Sequence, residues 1–400
     1  MPTVSRRRTA MAPVAAGLVA AGLLAVPAPV QAAGPPPGGA QAGWNQAGYG
    51  AGDTYFNPGE SMINPGTIHA VRQRWTVALP HSVQSCSRAA EPVVADGRVF
   101  VPTQTGIVAY HAATGELLWR FSWQSPEDES TPRLAVSGGL LIVANHGCQS
   151  QSDPDGSVRA LRLDSGLLAW RTPVLAPVAS LVVDRGVVVV SGQSLSDAPA
   201  VIGLRVADGT QLWQVADHAS TGVSARGRVL VNRTDAPGTA ALSVTTGKIL
   251  WTKGIAWAGQ AANPAGNRFY ANAEGDALVC LDAATGAVVW TAAGKGSTLI
   301  AADRRRVYRA AGTAVEALNA RTGAHRWARK LAGDAGQPVR AGGLLYTTVD
   351  GGKPLGIRNA ASGTRASDGT RIGAVSGGHV VVTGGWIYAR KGNTLSGYAR

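Results

Sequence analysis

Apolar residues recur along most of the chain in short runs of three to five, each cut off by a glycine-containing turn, and the runs are too short and too closely spaced for helices. Pro92-Val93-Val94-Ala95 and Val99-Phe100-Val101 flank Asp96-Gly97, a two-residue turn suited to a β-hairpin because glycine accepts positive φ. Ile107-Val108-Ala109-Tyr110 follows as a third strand and Glu116-Leu117-Leu118-Trp119 as a fourth, with Thr114-Gly115 turning the chain between them. The first hairpin recurs at Gly138-Gly139, Arg185-Gly186, Arg226-Gly227, Gly266-Asn267, Asp303-Arg304, Gly342-Gly343 and Gly384-Gly385, giving eight units.

A second signal marks the end of each unit: a small residue and glycine, then tryptophan four residues after the glycine. It reads Thr114-Gly115 to Trp119, Ser165-Gly166 to Trp170, Asp208-Gly209 to Trp213, Thr246-Gly247 to Trp251, Thr285-Gly286 to Trp290 and Thr322-Gly323 to Trp327. Successive glycines lie 51, 43, 38, 39 and 37 residues apart, and a degenerate Ser362-Gly363 follows after 40 with Ser367 where tryptophan would stand. Four short strands in a period near 40 predict an all-β, eight-bladed β-propeller of four-stranded antiparallel blades over 67–400. The last unit ends after its third strand, while Ile68 to Leu79, containing Trp75, reads as a lone fourth strand. Pairing the two closes the ring and removes a free sheet edge. Trp75, Trp119, Trp170, Trp213, Trp251, Trp290 and Trp327 are therefore expected to dock each blade on its neighbour.

Composition agrees with this pattern and narrows the chemistry. Among 400 residues are 52 glycines and 22 prolines, with 45% apolar and 15% charged content, which excludes disorder and coiled coils for most of the chain. Residues 1–32 form an expected signal peptide, with Arg6 to Arg8 ahead of an Ala/Gly/Leu-rich stretch and Val30-Gln31-Ala32 as the cleavage pattern. Residues 33–66 are a Gly/Pro-rich lead-in. A secreted or extracytoplasmic protein with no transmembrane span in its mature chain follows from that reading, and a monomer is expected. The net charge of +13 falls to +10 once the three leader arginines are removed. Such a charge suits a protein or an anionic cell-envelope polymer as partner, whereas the scattered arginines do not make a specific nucleic-acid site. Arg304-Arg305-Arg306 reads as a solvated hairpin tip.

The segment Cys280-Leu281-Asp282-Ala283-Ala284-Thr285-Gly286-Ala287-Val288-Val289-Trp290 resembles the docking motif of the pyrroloquinoline quinone (PQQ)-type quinoprotein propellers. The similarity extends over 67–400 and to a lead-in carrying Trp44, Tyr49-Gly50, Tyr55, Asn57-Pro58 and Ile63-Asn64. That family includes PQQ-dependent alcohol and sugar dehydrogenases and the non-catalytic outer-membrane assembly lipoproteins. The dehydrogenase branch implies PQQ with calcium and adjacent cysteines, but Cys86, Cys148 and Cys280 are far apart. No carboxylate pair stands out beside a metal, no histidine cluster appears, and Asp153-Pro154-Asp155-Gly156 reads as a plain turn. The lipoprotein branch implies a lipid-bearing cysteine near the leader, and the first cysteine is Cys86. The expected function is a binding or scaffold module with neither cofactor nor catalytic residue, the alternative being a PQQ-dependent dehydrogenase.

Three sites remain as expectations. Cys86, between the fourth strand of one unit and the first of the next, and Cys148, between a second and a third strand, fall on the same face of adjoining blades and predict a disulfide. Cys280 should be a buried apolar residue. Arg88, Glu91, Glu129, Gln260 and Gln337, near the starts of inner strands, are candidates to ring the axial funnel, and the long polar loops 145–157, 191–200 and 232–239 place binding on that face.

Overall fold

The computed structural model describes residues 43–149, 154–294, 299–375 and 379–400. The expected signal peptide at 1–32, the first part of the lead-in and the start of the Asp153 turn lie outside the described residues.

Eight four-stranded antiparallel sheets, each ordered A-B-C-D from the inside outward, make up the ring. In sequence order they span 93–122, 133–174, 180–216, 218–253, 258–292, 299–330 and 335–367 for blades 1 to 7. Blade 8 combines His379–Thr383, Trp386–Lys391 and Thr394–Ala399 with Arg72–Ala78 as its outer strand. The pairing runs from Arg72 opposite Ala399 to Ala78 opposite Thr394, so backbone hydrogen bonds between the two ends of the ring close it. Ahead of that outer strand, Ile68–Ala70 is a short 3-10 turn instead of strand. Thr67 Oγ1 accepts from the Asn64 amide and donates to the Met62 carbonyl, which winds the Asn64-Pro65-Gly66 corner tightly before the strand begins.

The repeated motif works as a joint between blades. Each motif glycine sits at positive φ in its C–D turn, and the tryptophan of the preceding blade lies against the face where a side chain would be. Trp75 packs on Gly115, Trp119 on Gly166, and so on to Trp327 on Gly363. Six of the seven indoles also donate Nε1–H to the carbonyl three residues before that glycine, as Trp119 does to Leu163 at 2.9 Å. For Trp327 the corresponding Ala360 carbonyl accepts from the Tyr308 hydroxyl at 3.3 Å, and Trp327 Nε1 has no partner among the described residues. B and C strands supply the core: Val99 to Val101, Leu141 to Ala144, Val187 to Val190 and their counterparts are buried on both faces.

Candidate functional site

The lead-in does more than precede the ring. Trp44 pairs with Val94 of blade 1 through two backbone hydrogen bonds of 2.7 and 2.9 Å, and Gln46 bridges to Ala135 of blade 2. The Gln46 side-chain amide then pairs with both N–H and C=O of Val183 in blade 3, each at 3.0 Å. Carbonyls of Ala51, Gly52, Thr54 and Tyr55 accept from Ser224, Ala262, Ala302 and Arg340 of blades 4 to 7. Phe56–Asn57 adds a parallel strand to the inner strand of blade 7, and Asn57 Nδ2 reaches the Val382 carbonyl of blade 8 at 3.0 Å. A single extended segment thus visits all eight inner strands in order, near their A–B turns, and floors the central axis at that end. Holding this circular path puts Tyr49, Asp53 and Tyr55 at positive φ, a strained conformation for non-glycine residues.

Above this floor is an axial cavity of about 490 Å3, open toward the face of the D–A and B–C loops. Its walls come from the starts of inner strands, including Glu91, Arg133, Ser180, Thr221 and His379, and its floor from Gln46, Gly50, Asp53 and Tyr55. Glu91 is buried and accepts from Trp44 Nε1 at 2.5 Å and from the Tyr55 hydroxyl at 3.2 Å. Burial, reinforced by the nearby Asp53 charge, pushes the Glu91 carboxyl up to about 8. Burial likewise raises Asp53 to about 7, with Arg133 drawing it back down. Loss of solvent lowers both Arg133 and His379. The floor of the funnel therefore holds one carboxyl, Glu91, that keeps its proton at neutrality and a second, Asp53, that ionises close to it, beside the Arg133 cation.

Of the residues singled out from sequence for the funnel, Glu91 lines this cavity, and Arg88, Glu129, Gln260 and Gln337 are not among the residues lining it. Glu129, in the loop ahead of blade 2, pairs with Arg159 of that blade at 3.0 Å and accepts from Asn145. Gln337 donates to the Ile300 carbonyl of the neighbouring blade at 2.7 Å, Gln260 lies near its own strand's Ala258 carbonyl, and Arg88 is exposed, its backbone N–H donating to Thr131 Oγ1. Proximity to a strand start does not set which way a side chain points, and in a strand that alternates. Asp53, and the contacts that Trp44 and Tyr55 of the lead-in make with Glu91, escaped sequence reasoning because nothing in a linear pattern says that a lead-in folds back into the ring. Cys86 and Cys148 form a disulfide on the D–A and B–C loop face, and Cys280 is free and buried, its thiol pushed up to about 12 by burial.

The quinone and calcium pair that the resemblance implies makes demands on this cavity. A polycarboxylate quinone bridged through calcium needs cationic side chains and several free oxygen donors. Here one guanidinium faces two carboxyls, both Glu91 oxygens are already engaged, and among the described residues no group of three or more His, Cys, Asp or Glu could hold a metal. These residues do not fit the pair.

Comparison with known proteins places this geometry. A family model described as "Outer membrane protein assembly factor BamB" matches residues 103–237 and 236–396. The outer membrane protein assembly factor BamB of Burkholderia pseudomallei (strain K96243) is 30% identical over 176 residues, which is 40% of this chain and 43% of that protein. The aligned part thus spans less than half of the relative's length. Among solved structures, quinohemoprotein alcohol dehydrogenase ADHIIG from Pseudomonas putida HK5 superposes with TM-score 0.65 at 12% identity, covering 90% of this chain and 80% of that one. BamB from Moraxella catarrhalis superposes with TM-score 0.56 at 17% identity, covering 82% and 98%. At these identities the structural likeness speaks for the fold alone.

Proposed function

The chain belongs to the BamB family of outer membrane protein assembly factor propellers, and from that premise we propose that it is an extracytoplasmic, non-catalytic binding module that engages a protein partner through its D–A and B–C loops. One observation carries the reading. Large apolar side chains exposed on the ring fall mainly into two groups. Leu117-Leu118, Leu167-Leu168, Ile249-Leu250 and Val288-Val289 repeat at the start of outer strands and belong to the blade pattern. Val83, Leu175, Leu195 and Ile255 do not repeat, are 98, 74, 91 and 55% exposed, and all lie in D–A or B–C loops of one face. Met62, 58% exposed in the lead-in on the opposite face, stands alone, whereas these four gather on one face, which is what a protein-binding surface requires. The same face carries the disulfide, which fixes the loop holding Val83 to blade 2.

No helix among the described residues is long and apolar enough to cross a membrane. Photo-crosslinking amino acids placed in cells at Val83, Leu175 and Leu195 should each trap the same envelope protein, with Met62 on the opposite face as control. Crosslinks from Met62 alone, or a different product at every position, would overturn the assignment. The dehydrogenase alternative is tested separately. Stoichiometric quinone uptake with calcium, followed by dye reduction with alcohols or sugars, would replace the binding reading.

A further inference from the structure

The positive charge of this protein is gathered at one side of the ring. Residues 299–375, blade 6 and blade 7 with the loop that follows, hold thirteen Lys and Arg against five Asp and Glu, a net of +8 out of +13 for the whole chain. Part of that excess converges on the A–B and C–D turn face of blade 6, opposite the loop face. Arg304 and Arg305 lie in its A–B turn and Arg306 opens the second strand, while Arg321 lies in its C–D turn and Arg326 near the start of the outer strand. The two turns are tied together by the Ala320 N–H donating to the Arg305 carbonyl at 3.0 Å. Between them lies a recess of about 410 Å3 lined by those five arginines and Asn319, with no acid in its wall.

The nearest carboxylate cannot neutralise it. Asp303 is buried, its Oδ1 accepts from the backbone N–H groups of Arg305 and Arg306 at 2.7 Å, and its Oδ2 accepts from the Tyr308 hydroxyl and Arg340 Nε. That carboxylate shapes the turn and is matched by Arg340, so the arginines around the recess keep their charge. None of the five has an ion pair among the described residues, and Arg306 Nε is buried without a partner. Arg304, Arg305, Arg321 and Arg326 are exposed and Arg306 is half-buried, so the cluster is charged and open to an anion arriving from solvent. A second recess of about 450 Å3 continues from the first along the same Arg304–Arg306 run, toward Arg340 of blade 7 and Phe56, Pro58 and Pro65 of the lead-in; its wall includes Asp303, whose carboxylate is engaged by Arg340 and the Tyr308 hydroxyl.

We infer that this pair of recesses is a binding site for a phosphate-bearing linear polyanion, successive phosphates seating against Arg304–Arg306 and between Arg321 and Arg326. A flat bilayer surface would need the arginines on a protruding rim. Here they line hollows that share their central residues, which suits a chain lying in a track. This site is independent of the loop face and of the protein-binding reading.

The probe is short-chain linear polyphosphate, titrated calorimetrically against the mature protein at two salt concentrations. Arg304→Ser/Arg305→Ser/Arg321→Ser should weaken binding about tenfold or more, and should flatten the salt dependence because fewer phosphates are neutralised and fewer counterions released. Arg120→Ser/Arg162→Ser/Arg171→Ser removes the same charge from exposed positions of blades 1 and 2 and should change binding less than about threefold. Footprinting of the unmutated protein with an arginine-specific dicarbonyl needs no variant to fold, and polyphosphate should protect Arg304, Arg305, Arg321 and Arg326 selectively. Equal losses in both triple variants, protection spread evenly over the ring, or no binding would overturn the site. Binding to phosphatidylglycerol vesicles without binding to soluble polyphosphate would overturn it too, and would assign the patch to a lipid surface.

Discussion

At the scale of single residues, the motif glycine answers two demands at once, and they can be separated. Gly166 has φ +70°, and a Cβ there would come within 2.5 Å of Trp119. Gly97, in an A–B turn, has the same φ with nothing within 4 Å of the added atom. Gly97→Ala should therefore cost only the left-handed backbone term, roughly 1 kcal/mol. Gly166→Ala adds an overpacked indole and should cost roughly 2–4 kcal/mol, measured by urea unfolding. Equal costs at the two sites would mean that the tryptophan is not seated as described. Sequence spacing revealed the pairing of glycine and tryptophan in one motif, but not that the tryptophan packs on the next motif's glycine. The first is a linear regularity, whereas the second follows from how blades stack.

At the scale of elements, the strands were legible because each apolar run is bounded by its own turn residues, and the lead-in was not, because its hydrogen bonds go to eight different strands. Its path depends on what it meets, not on any periodicity of its own. Trp44, which like Trp123, Trp257 and Trp386 stands outside the repeat, donates to Glu91. That buried contact makes the floor sensitive to pH. The Glu91 carboxyl has a folded value raised from 4.5 to about 8, so between these values the folded state binds more protons than the unfolded one, and stability falls as pH rises. His146 and His379, both lowered by burial, act in the opposite direction but only below their ordinary value of 6.5. From pH 7 to pH 9 the Glu91 contribution dominates and should remove roughly 1 kcal/mol. Glu91→Gln keeps an acceptor for the indole and cannot ionise, so its urea midpoint should fall clearly less than the wild type's over that range, with Asp53, also raised by burial to about 7, supplying part of the remaining fall. A wild-type fall no larger than the variant's would show that Glu91 is not held protonated.

At the scale of the molecule, a ring is as strong as its least conventional joint. Seven junctions use a tryptophan seated on a glycine, and the eighth, from blade 7 to blade 8, has Ser367 in the tryptophan position and no motif turn to receive it. The substitute is the loop after Arg365–Ser367. Ile372 and Val375 are buried in the apolar cluster of blade 8 with Val381, Ile387, Leu395 and Tyr398. The Ile372 carbonyl also accepts from Lys391 Nζ at 2.8 Å and from the Tyr398 hydroxyl at 3.3 Å. On the other side of the loop, the Leu355 N–H donates to the Gly373 carbonyl at 3.1 Å, which anchors it to blade 7. The closing blade thus meets blade 7 through a shared apolar core, in which Val339 and Tyr346 join Val381 and Ile387, reinforced by this irregular loop in place of an indole, and meets blade 1 through Trp75 on Gly115. Ile372→Ala should cost about 2–4 kcal/mol by emptying that apolar contact. Because every other junction keeps its indole, the loss should appear locally. Hydrogen exchange should accelerate in His379–Thr383 and Thr394–Ala399 while Val187–Gly192 of blade 3 stays protected. Uniform acceleration around the ring would show instead that the blades open together and that no single joint limits the fold.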